Sequence, residues 1–140
     1  MGRIIRRLKD RGLLREPIPH HVSARKRQRS RQYAVRKPKD YRVEQPGDLI
    51  EPDTLDIRPL PGVVIKHFTA HDVVSRWNVV EAHSEARAST AAHFLDTLQA
   101  RMPFEVRAIQ VDGGAEFEAI FEEECRKRGI RLFVLPPPPY

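Results

Sequence analysis

The chain has 140 residues, with 25 Lys and Arg against 19 Asp and Glu for a formal charge of +6, and it is 40% hydrophobic and 31% charged. That is the size and balance of one modest globular domain plus an arm, and it excludes wholesale disorder. The longest aliphatic run, Val63-Val64-Ile65, is far short of the ~18 apolar residues of a membrane span, and no apolar stretch follows the basic start as a signal peptide requires. Cys125 is the only cysteine, which excludes an internal disulfide and a cysteine-based zinc site. These features predict a cytoplasmic protein.

Charge is divided unevenly. Residues 1–45 hold 15 Lys and Arg and 4 Asp and Glu, a balance of +11, whereas residues 46–140 carry −5. A basic arm on an acidic domain suits a polyanion, because cationic side chains that neutralise phosphates release counterions without reading sequence. The densest run, Arg25-Lys26-Arg27-Gln28-Arg29-Ser30-Arg31, is therefore read as DNA-contacting rather than as a merely solvated tail.

In chain order, Ile4, Ile5 and Leu8 among Arg3, Arg6, Arg7 and Lys9 predict a short basic helix ended by Gly12. It is too short to stand alone in water and needs something to pack on. Pro17, Pro19, Pro38 and Pro46 bracket polar, basic sequence that reads as a linker over 15–46. From residue 47 the pattern becomes that of a folded domain. Leu49, Asp53, Leu55 and Ile57 alternate as a strand requires, Pro59, Pro61 and Gly62 supply a turn, Val63 to Asp72 is a second strand, and Trp77 to Ala82 a third. Neighbours joined so briefly are expected as antiparallel hairpins.

Ser89 is read as the N-cap of a helix ending at Met102, with Ala91, Phe94, Leu95 and Leu98 on its apolar stripe and Pro103 beyond. Val106 to Val111 is a fourth strand. After Gly113-Gly114 a second helix carries Phe117, Ile120, Phe121 and Cys125 at helical spacing, Gly129 closes it, and Ile130 to Leu135 is the fifth strand. The order β-β-β-α-β-α-β predicts an α/β fold with a mixed sheet and helical crossovers.

Two acids stand where a sheet ordinarily refuses them: Asp53 inside the first strand and Asp112 at the end of the fourth. Each needs a partner or a cation, and brought together they would repel unless a divalent ion bridged them. The alternative is that Asp112 opens a turn and Asp53 faces solvent. Asp56 has the opposite strand parity to Asp53. His20, His21, His67, His71, His83 and His93 show no close metal-ligand spacing. Pro137-Pro138-Pro139-Tyr140 matches a proline-rich ligand pattern over four residues only.

Three segments carry a family resemblance: Gln45-Pro46-Gly47-Asp48-Leu49-Ile50 with Asp53-Thr54; Phe68-Thr69-Ala70-His71-Asp72-Val73-Val74-Ser75-Arg76-Trp77; and Ile109-Gln110-Val111-Asp112-Gly113-Gly114-Ala115-Glu116-Phe117. In this order they resemble the retroviral-type integrase core of bacterial insertion-sequence transposases, and Gly2 to Leu14 resembles the end of the helix-turn-helix that precedes such cores. The resemblance implies a ribonuclease H-like fold and DNA cleavage and strand transfer, with two Mg²⁺ or Mn²⁺ ions held by three carboxylates. Asp53 would be the first and Asp112 the second. It implies 1–14 as a helix-turn-helix remnant, 15–46 as a basic linker and 47–140 as the core, with DNA contacts through Arg3, Arg6, Arg7, Arg25, Lys26, Arg27, Arg29 and Arg31. It also implies a homo-oligomer or a full-length transposase as partner, and a nucleoid location when DNA is bound.

Three departures accompany the matches. The family's third acid, a Glu about 35 residues past the second Asp by resemblance, would fall beyond Tyr140, so a core lacking its last helix and an incomplete site are expected. Glu116 and Glu118 follow Asp112 too closely to replace it. Pro52, beside Asp53, removes a ladder hydrogen bond and predicts a bulged or shortened first strand. The helix-turn-helix is cut to its tail. By resemblance, Asp72, Ser75 and Arg76 have a structural role in a turn that places Trp77. Two functions follow: a truncated metal-dependent transposase, or a non-catalytic DNA-binding or transposase-inhibiting fragment.

Overall fold

The computed structural model describes residues 11–12 and 31–136. The basic helix with Arg3, Arg6 and Arg7, the run from Arg25 to Arg29, and the terminal proline motif lie outside the described residues. The chain divides into two units, Met1–Ser30 and Arg31–Tyr140, and the sheet and its helices belong to the second.

Five strands form one mixed sheet in the order β3-β2-β1-β4-β5. A long hairpin opens it, β1 (Ile50–Leu60) antiparallel to β2 (Val63–Asp72), and β3 (Asn78–His83) continues antiparallel at the edge. The helix α1 (Ala88–Arg101) leads to β4 (Ala108–Val111), and α2 (Ile120–Lys127) leads to β5 (Arg131–Val134). β4 runs parallel to both β1 and β5. The element order and the mixed sheet are those the hydrophobic periods predict.

Strand parity sorts the core into two layers. Ile50, Phe68, Ala70, Val79, Ile109, Val111 and Leu132 form one layer with Phe94, Leu95 and Leu98 of α1 and with Phe121 and Cys125 of α2. On the other face Leu49, Ala108 and Phe133 pack with Tyr41, Val43 and Val73. Farther along that second face Leu55 is 53% exposed and Val80 44%. Cys125 is buried, and desolvation pushes its thiol up to about 12. It should therefore stay unlabelled by a thiol reagent at pH 8 in the folded protein and react in full once denatured, since the thiolate is the reactive form.

Several boundaries differ from the sequence reading. The hairpin turn sits at Pro61-Gly62, beyond Pro59, because β1 runs on to Leu60. Arg87, not Ser89, caps α1: its carbonyl accepts the Ala91 amide at 2.9 Å, which places Ser89 inside the first turn. The expected single helix after Gly114 is broken in two. A 3₁₀ turn at Ala115–Phe117 precedes α2, and between them Ala119 takes a φ of 45°, which no α-helix accommodates.

The largest difference is the segment read as the end of a linker. Residues 31–45 belong to the folded unit. Val35 adds to the outer edge of β5, donating to the Leu132 carbonyl at 3.1 Å and accepting from the Val134 amide at 2.9 Å. The buried carboxylate of Glu122 in α2 accepts the amides of both Tyr33 and Ala34. Backbone pairing and one buried acceptor hold this arm, so its polar composition gave no sign of it. On Glu122→Ala those two amides lose their acceptor, and exchange at Tyr33 and Ala34 should accelerate with a stability loss of about 1 to 3 kcal/mol.

Candidate functional site

The position of the two acids follows from how β1 passes between its neighbours. Val73 donates its amide to the Leu49 carbonyl at 3.1 Å, so the peptide groups of Leu49, Glu51 and Asp53 face β2 while those of Ile50 and Pro52 face β4. β1 and β4 pair where Ile50 lies opposite Ile109, and the ladder goes no further. Pro52 has no N–H to offer on that side. The bulged or shortened first strand expected at Pro52 is not found: β1 runs from Ile50 to Leu60 and pairs unbroken with β2 from Ile50 to Ile57, and only its ladder to β4 is limited, to Ile50–Ile109.

Asp53 and Asp112 each lie three residues beyond the Ile50–Ile109 pair. Asp53 lies within β1 and Asp112 directly follows the last residue of β4, so both stand at the same end of the two neighbouring parallel strands. Both are exposed. The Asp53 carboxylate accepts the Thr54 amide at 2.8 Å, and Asp112 accepts the Gly114 amide at 2.9 Å, the turn its sequence suggests. Each therefore keeps oxygen lone pairs open to solvent.

Among the described residues, no group of three or more His, Cys, Asp or Glu side chains is placed to hold a metal ion. Glu116 is turned elsewhere, accepting the Thr54 hydroxyl at 2.8 Å. Glu118 faces Arg31 at 3.5 Å. Asp56 pairs with Lys66 across the hairpin. Arg31, read as a DNA contact, is only 14% exposed and donates to the Phe117 carbonyl at 3.0 Å.

The second motif builds a rigid turn rather than a reactive centre. Asp72 is fully buried and its carboxylate accepts the amides of Gly47 at 2.9 Å and Ser75 at 2.6 Å. Burial pushes its carboxyl up, but hydrogen bonds from the Ser75 hydroxyl and from the Gly47, Ser75 and Val74 amides outweigh it and hold the group below the usual carboxylate range. The Asp72 backbone accepts from Arg76 and donates to Trp77, both at 2.9 Å, which closes the loop into β3. Asp48 fastens the neighbouring turn. The amides of Gln45 and Glu44, with Arg107 at 2.7 Å, hold its carboxyl below the ordinary value against the opposing effect of desolvation.

No family model matches the chain, and no curated protein does. Among solved structures, a chain in the cryo-EM structure of the simian T-cell lymphotropic virus intasome in complex with PP2A regulatory subunit B56 gamma is similar, with a TM-score of 0.63 and 17% identity over 69% of this chain. The fold is ribonuclease H-like. At that identity the likeness concerns the fold, and it spans 37% of the viral structure's chain. Within this ribonuclease H-like sheet, Asp53 lies on the central strand β1 and Asp112 directly follows its neighbour β4. Thr54 and Glu116 went unnoticed as a pair in the sequence, since 62 positions separate them. Among the described residues no helix is long and apolar enough to cross a membrane.

Proposed function

We propose that this chain is a transposase- or integrase-type protein of DNA integration, in which Asp53 and Asp112 hold a divalent cation against a DNA phosphodiester. The observation that supports the reading is that these two exposed carboxylates lie one within β1 and one directly after its parallel neighbour β4, each three residues beyond the Ile50–Ile109 pair. Carboxylate oxygens suit Mg²⁺ or Mn²⁺, and Mg²⁺ is commonly held by one or two protein carboxylates with water and substrate phosphate completing its shell. When bound, such an ion polarises the phosphoryl oxygens and lowers the pKa of an attacking water or 3′-hydroxyl. Asp53 and Asp112 supply its oxygen ligands and fix its position, while Arg3, Arg6, Arg7, Arg25, Lys26, Arg27 and Arg29 neutralise backbone phosphates. Its motifs resemble those of the bacterial insertion-sequence kind, working as a homo-oligomer or beside a full-length transposase.

A second reading has its own support. The +11 balance of residues 1–45 supports a DNA-binding or transposase-inhibiting protein without catalysis, in which that arm holds DNA. Mn²⁺-dependent cleavage of supercoiled DNA, comparing the chain with Asp112→Ala, separates the two. The enzyme reading expects nicking that the substitution reduces at least 100-fold. Equal salt-sensitive DNA binding by both proteins, with no nicking by either, supports the binding reading.

A further inference from the structure

We infer that Thr54 and Glu116 are positioning residues that set the spacing of Asp53 and Asp112, an inference that takes its functional meaning from the proposed role of that pair. The need for them arises at Pro52. With the β1–β4 ladder ended at Ile50–Ile109, no backbone hydrogen bond ties the two strands at the level of the acids.

A relay of side chains takes the ladder's place. The Thr54 amide donates to Asp53 Oδ1 at 2.8 Å, and the Thr54 hydroxyl donates to Glu116 Oε1, also at 2.8 Å. The Glu116 carboxylate in turn lies over the Gly114 Cα so closely that a Cβ there would sit 2.7 Å from Glu116 Oε2. Gly114 closes the relay by donating its amide to Asp112 Oδ1 at 2.9 Å. The Thr54–Glu116 hydrogen bond thus ties β1 to the turn that follows Asp112, while Asp53 is bonded to Thr54 and Asp112 to Gly114 within their own segments. The 3₁₀ turn at Ala115–Phe117 presents Glu116 to β1, and the absence of a side chain at Gly114 gives its carboxylate room. Glu116 is thus assigned a task distinct from that of a third metal ligand: it is turned to β1, and it holds the strands together.

The test needs no metal. In a Cys125→Ala background, Asp53→Cys and Asp112→Cys place two thiols at the same end of neighbouring strands, and a disulfide joins them only while their Cα atoms come within ~7 Å. Oxidation should join them readily in the parent. Adding Thr54→Val, which keeps the shape and removes the donor, should slow joining at least tenfold, and Glu116→Ala should do the same. Thr54→Ser should restore the rate, and Gly62→Ala, remote in the hairpin turn, should leave it unchanged. Joining at the parent rate with Thr54→Val, or a parent pair that does not join, overturns the inference. Mn²⁺ binding to the chain with both aspartates intact is measured separately. If Mn²⁺ does not bind while joining depends on Thr54, the metal reading fails and the latch stands; if it binds with the same affinity in Thr54→Val and joining is also unchanged, the latch fails and the metal reading stands.

Discussion

Asp72→Ala should lower stability by about 2 to 4 kcal/mol, a drop of roughly 10 to 20 °C in Tm for a domain of this size. The carboxylate is fully buried and accepts amides from two separate segments, Gly47 before β1 and Ser75 after β2. Its removal leaves the buried Gly47 amide without its acceptor and frees the turn into β3. The pH dependence has a definite sign. Asp72's folded pKa lies below its unfolded value of about 3.9, so its contribution is complete above that value and is lost as pH falls through the folded pKa. The stability gap between wild type and Asp72→Ala should therefore be widest at neutral pH and close on acidification below about pH 4. Urea unfolding of both proteins at pH 7 and at pH 3 measures it. A gap that widens in acid would contradict the assignment.

Gly47→Ala should be at least as damaging, at about 3 to 5 kcal/mol. Gly47 has a φ of +90°, and a Cβ there would lie 1.9 Å from the Glu105 carbonyl oxygen. That neighbour is backbone in the approach to β4 and cannot swing aside. The same residue donates to Asp72 and accepts from the Arg107 amide at 2.9 Å, so any shift that relieves the clash loosens two attachments at once. Gly62 provides the control, because its φ is +77° with nothing within 4 Å of an added Cβ. Gly62→Ala bears the backbone strain alone, about 1 kcal/mol. Thermal unfolding of the two variants separates clash from strain; equal losses would show that the Glu105 contact is unimportant.

The element order was legible because each element carries its own period: alternation in β1, a three-and-four spacing of Phe94, Leu95 and Leu98 in α1, and short apolar runs in β4 and β5. What composition hid was held by backbone or by distant partners. Tyr33 and Ala34 give their amides to Glu122, and Val35 joins β5, yet the surrounding sequence is basic and rich in turn residues. Ser89 has the right chemistry for a helix cap but sits inside the first turn, where Ala91 already bonds to Arg87. Asp72 reads in sequence as one more acid in a turn; its importance comes from Gly47, which reaches it from the far side of the hairpin.

On the proposed function, Asp53 and Asp112 hold one divalent cation between them. Mn²⁺ binding followed by electron paramagnetic resonance tests it most directly, on the wild-type chain and on Asp53→Asn and Asp112→Asn separately. One ion per chain is expected in the wild type, weakened at least tenfold by either substitution, since each removes one charged oxygen ligand. Undiminished binding in both variants, or no binding to the wild-type chain, would contradict the claim.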